Sequence, residues 1–312
     1  MSYFETIIDI SAFEARRKAE ANSRDISKWK KIPPADKWSA AELHAARLVV
    51  RSKGTESSHM LPALRRESDR AKEAHNQEQI RALLKGPQRP WGQHTRTELA
   101  HLYGDGPGYL WALLARFPRH DADHNNPPAG HVTIPFHPDL ATFEVASLFP
   151  WHVAWACPPQ DDTRHFKPEH LVQYRSRRRA DFRDRTRCPA LVAAKKRFDE
   201  VRDGLPVLTD SVLGQLTCEA LALRLELAQK GGHGEDDENV FMIVAARQYM
   251  RFLQFKISDA YIAELVAEGG KKDMTGFVEL WATPWFSLKN EAGRRKAVDN
   301  IAALIIGQPW NM

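Results

Sequence analysis

Apolar positions recur at helical spacing along much of the chain. In residues 211–230, Leu213, Leu216, Ala220, Leu223 and Leu227 alternate at steps of three and four, which lines one face of a helix. Leu221 and Leu225 widen that face beyond a coiled-coil seam, so the segment reads as a core helix ended by Gly231-Gly232. Residues 240–256 carry Phe241, Val244, Ala245, Met250, Phe252, Leu253 and Phe255 and read as a second apolar helix. Further helices are predicted at 260–268, 276–282 and 288–306.

Towards the start of the chain, end signals place the helices. Ser11 with Glu14, and Ser39 with Glu42, have capping-box spacing and open helices over 12–21 and 40–51. Pro62 suits the first turn of a long charged helix, 62–85, stopped by Gly86-Pro87. Shorter helices are predicted at 96–103 and 109–116. Residues 120–138 differ: Asn125-Asn126 and Pro127, Pro128 and Pro135 predict loop, with a short strand at 131–136. A helix at 140–148 follows, then an alternating strand through Trp151, Val153, Trp155 and Cys157. The pattern as a whole predicts a mainly α, multi-helical globular protein, with a Pro/His-rich irregular middle segment and at most a few short strands. Two parts are expected: a basic helical part, 1–204, containing the irregular segment 118–138, and a helical part, 205–312. The two can share one core.

Composition narrows the class. The chain has 312 residues, 43% hydrophobic and 27% charged, which is ordinary for a globular protein. Roughly 75% of the unfolded surface is buried at this size, so no disulfide scaffold is required. Three cysteines without C-x-x-C spacing agree, and also argue against a cysteine zinc site. The first twenty residues lack the apolar stretch of a signal peptide, and no run of 18 apolar residues occurs. These features predict a soluble cytoplasmic or nuclear protein that is not secreted.

Charge adds a candidate function. Net charge is +5, but residues 1–200 hold 33 Lys/Arg against 25 Asp/Glu, whereas residues 201–312 hold 12 against 15. The basic character peaks in residues 175–187, where seven arginines meet two aspartates. On a helix Arg175, Arg179 and Arg183 share one face, and Arg178 and Arg185 form a neighbouring stripe. Guanidinium groups pair bidentately with phosphate, and the adjoining Tyr174 could stack on an unpaired base. Asp181 and Asp184 can satisfy part of the charge within such a helix, leaving a surplus of five. The leading expectation is a non-catalytic nucleic-acid-binding protein with RNA as the preferred partner. One version of it is an assembling, homo-oligomeric nucleoprotein or coat-type subunit.

Two rivals come from other classes. Nine of thirteen histidines fall between residues 94 and 170. His120, Asp121, Asp123, His124 and His131 combine imidazole and carboxylate in a way that suits a divalent metal ion and a hydrolytic site. The spacing matches no established metal motif, and H-E-x-x-H is absent. The other rival is a protein-interaction scaffold with no polyanion partner. Two weaker features are the turn Gly104–Gly108 and the sequence Ser57-Ser58-His59, which sets a hydroxyl beside an imidazole in sequence only.

Overall fold

A computed structural model describes residues 2–19, 25–29, 33–51, 59–76, 78–86, 95–103, 111, 190–195, 200–202, 204–229, 238–246, 248–267 and 273–306. Helices α1 (Tyr3–Thr6), α2 (Ile10–Ala19) and α3 (Ala40–Ala45) lead into strand β1 (Leu48–Val50). Helices α4 (Ser68–Glu73), α5 (Glu78–Lys85) and α6 (Arg96–Tyr103) follow. Then come β2 (Leu191–Lys195), the small hairpin β3 (Val201–Arg202) and β4 (Leu205–Pro206), and α7 (Asp210–Gln229). The last part is β5 (Asn239–Ala246), β6 (Tyr249–Ile257), α8 (Asp259–Val266), β7 (Val278–Ala282), β8 (Phe286–Ser287) and α9 (Glu291–Ile306).

The mainly α expectation is overturned. A six-stranded sheet runs in the order β1-β7-β6-β5-β2, with β8 also paired to β6. β1 is parallel to β7 and β2 to β5, while β6 is antiparallel to β5, β7 and β8. The chain is therefore a mixed α/β structure, with sheet strands from both sides of residue 204.

The segment read as a helix over 240–256 is the hairpin β5–β6. Its continuous apolar run has a simple cause: both faces of these central strands are covered. Successive residues split between two cores. Phe241, Ile243, Met250 and Phe252 join one with Ile80, Leu83, Val298 and Ile301 from α5 and α9. Val240, Met242, Val244, Leu253 and Phe255 join the other with Leu213, Leu216, Ala220 and Leu223 from α7. Period two, hidden in the uninterrupted apolar run of β5 and broken irregularly by Arg251, Gln254 and Lys256 in β6, is what distinguishes this pair from a helix. Residues 276–282 were likewise expected to be helical. They contain β7, whose alternating burial matches a strand with one tightly packed side.

The long helix expected over 62–85 is broken into a 3-10 turn at Pro62–Glu67, α4, a second 3-10 turn at Ala74–Asn76, and α5. Leu64, Ala71, Ile80 and Leu83 reach the same core from separate pieces instead of forming one continuous stripe. The Ser39–Glu42 capping box holds, but the helix expected over 40–51 ends at Ala45, and 48–50 form strand β1. The Ser39 amide and hydroxyl both bond the Glu42 carboxylate, at 2.7 and 2.5 Å, and the Ser39 oxygen accepts from Ala41 N. The capping box expected at Ser11 and Glu14 is overturned: α2 already begins at Ile10, and the oxygen that accepts from Ala12 N is Asp9 Oδ1. The strand and helix expected at 131–136 and 140–148, the strand at 151–157 and the segment 118–138 lie outside the described residues.

One buried cation organises the β1 end of the sheet. Arg47 follows α3 with φ +54, a left-handed conformation that disfavours a side chain. Its Nε donates to Gly276 O at 2.8 Å, just before β7. Its guanidinium lies 3.8 Å from Asp25 and 3.6 Å from Glu14, over the rings of Phe277 and Phe13. Burial pulls its pKa below the usual arginine range, and Asp25 opposes that shift. Asp25 also accepts from Met274 N at 3.1 Å. Two phenols finish the junction: Tyr3 donates to Leu48 O and Tyr261 to Ala46 O, both at 2.8 Å. Val50 N donates to Ile7 O, so main chain covers part of the outer edge of β1.

Asp25→Ala removes the buried carboxylate beside Arg47 and leaves the charge facing more exposed acids, of which Glu14 lies at 3.6 Å. Urea unfolding should show a loss of about 3–5 kcal/mol. Glu264 of α8 supports the same region by accepting from Thr275 N, Thr275 Oγ1 and Gly276 N. Burial raises its pKa, but those hydrogen bonds and Arg47 outweigh it, so the folded pKa lies below the ordinary glutamate value. The stabilisation is therefore present above the ordinary glutamate range and disappears as pH falls through the folded value. Glu264→Gln should cost about 1 kcal/mol at pH 7, allowing for partial solvent screening. Unfolding curves taken at successively lower pH should bring variant and wild type together.

Candidate functional site

Arg175, Arg178, Arg179, Arg183, Arg185 and Tyr174 lie outside the described residues. So do His120, Asp121, Asp123, His124 and His131, the turn 104–108, and Ser57-Ser58. Among the described residues, no three His, Cys, Asp or Glu side chains are grouped to hold a metal ion. Also among them, no helix is long and apolar enough to cross a membrane. The positions with site-like chemistry are others, and they emerge from asking what each arginine in the fold is doing.

Most of these arginines are committed to structure. Arg224 of α7 is fully buried, donates from Nε to Ile257 O at 3.1 Å, and pairs with Asp259 at the start of α8. Arg294 of α9 donates to Leu288 O and Lys289 O, each at 3.1 Å, and to Leu84 O at 2.8 Å. It also lies over the buried Trp111 ring at 4.9 Å. Each guanidinium thus satisfies main-chain carbonyls where helices end or strands turn, as its planar set of donors allows. The close packing extends to Gly86, where a β-carbon would come within 2.8 Å of Arg294 Nη2. Arg51 pairs with Glu279 across β1 and β7.

Arg251 is different. It lies on β6 opposite Val244 of β5, which in turn lies opposite Ala193 of β2. Its side chain shares the sheet face of Leu253 and Phe255, the face covered by α7. Nε donates to Thr283 O at 2.7 Å. Two rings flank the guanidinium: Phe4 of α1 at 4.6 Å and Trp285 at 5.6 Å. Among the described residues no carboxylate pairs with it, and no second carbonyl accepts from it. Burial without an offsetting charge lowers its pKa to about 10, so it stays cationic at neutral pH.

The sheet is irregular at this point. Ala282 pairs with Leu253, and Phe286 pairs with Met250. Between those pairs, Arg251 and Phe252 face three residues, Thr283, Pro284 and Trp285. One extra residue opposite a strand is a β-bulge, a device that re-aims side chains. Thr283 anchors it: its N–H donates to Phe252 O at 3.0 Å, and its hydroxyl oxygen accepts from Phe252 N at 3.1 Å.

A second polar cluster lies on the opposite face. Asp299 of α9 is buried between two imidazoles, with His75 Nε2 2.8 Å from Oδ1 and His59 Nε2 3.2 Å from Oδ2. Arg295 Nη1 is 3.4 Å from His75 Nδ1, and since arginine cannot accept, that nitrogen is the acceptor. The ring proton of a neutral His75 then sits on Nε2, which approaches Asp299 closely but is not aligned for a hydrogen bond to it. The neighbouring Asn300 donates to His59 O at 2.7 Å and Lys296 O at 2.9 Å. Within the described residues Asp299 and Asn300 together tie the segments at 59 and 75 to α9.

Sequence reading missed Arg251 because a charge at that position of a supposed helix looks like ordinary surface. As the third residue of a nine-residue strand it is conspicuous. No family model matches the chain, and no curated protein or solved structure matches it either.

The contrast among arginines has a thermodynamic consequence. Arg294→Met strands three carbonyls and should lower stability by about 3 kcal/mol. Arg251→Met removes a poorly compensated charge and should leave stability within about 1 kcal/mol of wild type. Chemical denaturation of the two variants side by side measures the difference.

Proposed function

We propose that this chain is a non-catalytic nucleic-acid-binding protein that contacts phosphates through residues 175–187. The observation that carries the reading is the composition of that segment: seven arginines, two aspartates and a surplus of five positive charges in thirteen residues. Arg175, Arg178, Arg179, Arg183 and Arg185 are the phosphate-contacting residues, and Tyr174 supplies a stacking face. Backbone contact rather than base reading is favoured because arginine dominates the segment and amide side chains are nearly absent from it. The buried Arg47, Arg224 and Arg294 are engaged within the fold, so they are not available to phosphates. RNA is the preferred partner, and self-assembly on it is the structural form of the same proposal.

Titration with mixed single-stranded RNA and DNA oligonucleotides across a salt series tests this. Affinity should fall steeply with salt, the logarithmic slope growing by about 0.7 for each phosphate contacted. Arg175→Ala/Arg179→Ala/Arg183→Ala should weaken binding at least tenfold at low salt and reduce the slope by about 2. Unchanged affinity and slope in that triple variant would remove the proposal. Light scattering with and without oligonucleotide reports the assembly state.

A further inference from the structure

We infer that the bulge beside Arg251 is a binding site for the oxyanion group, phosphate or carboxylate, of a small-molecule ligand. The inference does not depend on residues 175–187. It rests on what Arg251 is held by and where the sheet puts it.

First, the side chain is positioned but not consumed. One donor, Nε, is fixed by Thr283 O, and two aromatic rings at 4.6 and 5.6 Å hold the guanidinium plane. The two terminal nitrogens, Nη1 and Nη2, carry four N–H groups that take no protein acceptor among the described residues. Paired N–H groups on a rigid plane match the two oxygens of a carboxylate or phosphate edge. The rings also lessen hydration of the cation, which strengthens its attraction for an anion that replaces water.

Second, the place is one where sheets of this kind hold ligands. β2, β5 and β7 run parallel, and Arg251 lies level with the middle of β2 at Ala193, with the later half of β5 at Val244, and beside Thr283, the residue that follows β7. It therefore stands at the carboxyl-end edge of the parallel strands, where open α/β sheets bind ligands. The bulge parts β7 from β8 at that level and leaves Thr283–Trp285 out of the regular ladder.

Third, the alternative occupants are placed elsewhere. Asp210, the first residue of α7, is engaged by Tyr3 N at 2.6 Å. Glu5 of α1 is paired with Arg202. Among the described residues no acid pairs with Arg251, so the arginine on β6 keeps its charge for an incoming group.

The test uses the full-length protein and simple probes. Thermal unfolding and titration calorimetry are run with inorganic phosphate and with acetate, each against sodium chloride at matched ionic strength. Phosphate and acetate should each raise the unfolding temperature in a saturable way, with a one-site isotherm, while chloride should not. A hundredfold excess over Kd corresponds to about 2.7 kcal/mol of stabilisation. Arg251→Met should abolish the saturable effect. Arg251→Lys, which keeps the charge without the planar donors, should weaken binding at least tenfold and decides the matter should the methionine variant fail to fold. The Arg175→Ala/Arg179→Ala/Arg183→Ala variant should retain the full effect. The inference is overturned if chloride matches the oxyanions, if Arg251→Lys binds like wild type, or if the effect vanishes only in the triple variant. That last result would assign the anion to residues 175–187 instead.

Discussion

The arrangement of the β1 end depends on keeping one cation, Arg47, in a dry place. Its position between α3 and β1 requires a left-handed turn, and its guanidinium gathers groups from three distant stretches: Glu14 and Asp25, Gly276 O, and the rings of Phe13 and Phe277. A buried charge of this kind tolerates few alternatives, because each partner removed leaves desolvation unopposed. It therefore sets how the first fifty residues meet the strand that starts at Val278. Register follows from that meeting: Leu48 pairs with Val278 and Val50 with Leu280. An apolar residue at 47 could relieve the burial, but would leave Gly276 O and two carboxylates without their shared donor.

From that corner the sheet extends by ordinary hydrophobic layering. α7 and α8 cover one face and α5 and α9 the other. α7 comes so close to Trp38 that a β-carbon at Gly214 would stand 2.5 Å from the tryptophan β-carbon. Arg224 and Arg294 then tie helices to strand ends through main-chain carbonyls. Three arginines thus fix three junctions by the same chemistry, a planar donor set answering carbonyls or carboxylates that the chain direction would otherwise strand. Arg251 follows that pattern only in part, through the single carbonyl of Thr283.

Where the sequence was legible, the signal was local. Ser39 and Glu42 announced α3, and the three-four spacing from Leu213 to Leu227 announced α7, since caps and amphipathic stripes act within one or two turns. The sheet was illegible for a related reason. Val240–Ala246 has no polar interruption and the polar residues of β6 follow no period of two, because α7 lies on one side and α9 on the other, and a strand buried twice carries no alternation of polarity. β1 has three residues and β8 two, too few for any periodicity. The organising role of Arg47 depends on Asp25, Gly276 and Phe277, none of them near it in sequence. Arg251 is a site candidate only once β6 is known to be a strand and Thr283–Trp285 a bulge. The residues chosen from sequence, in 120–137 and 174–185, fall outside the described part, so the fold neither supports nor weakens their selection.

The two anion-related readings differ in physical kind. Seven arginines in a short segment form a field with many weak contacts, where affinity comes from counterion release and fades with salt. Arg251 is a single donor plane already oriented by a carbonyl and two rings. Little conformational entropy remains to be lost when an oxyanion docks there, and its affinity depends on geometry more than on ionic strength. One chain has room for both, and they need not share a ligand. Charge count identifies the first kind of site in a sequence. The second becomes visible only when the described cations that hold the fold together have been accounted for, and Arg251 is seen to pair with no carboxylate among the described residues.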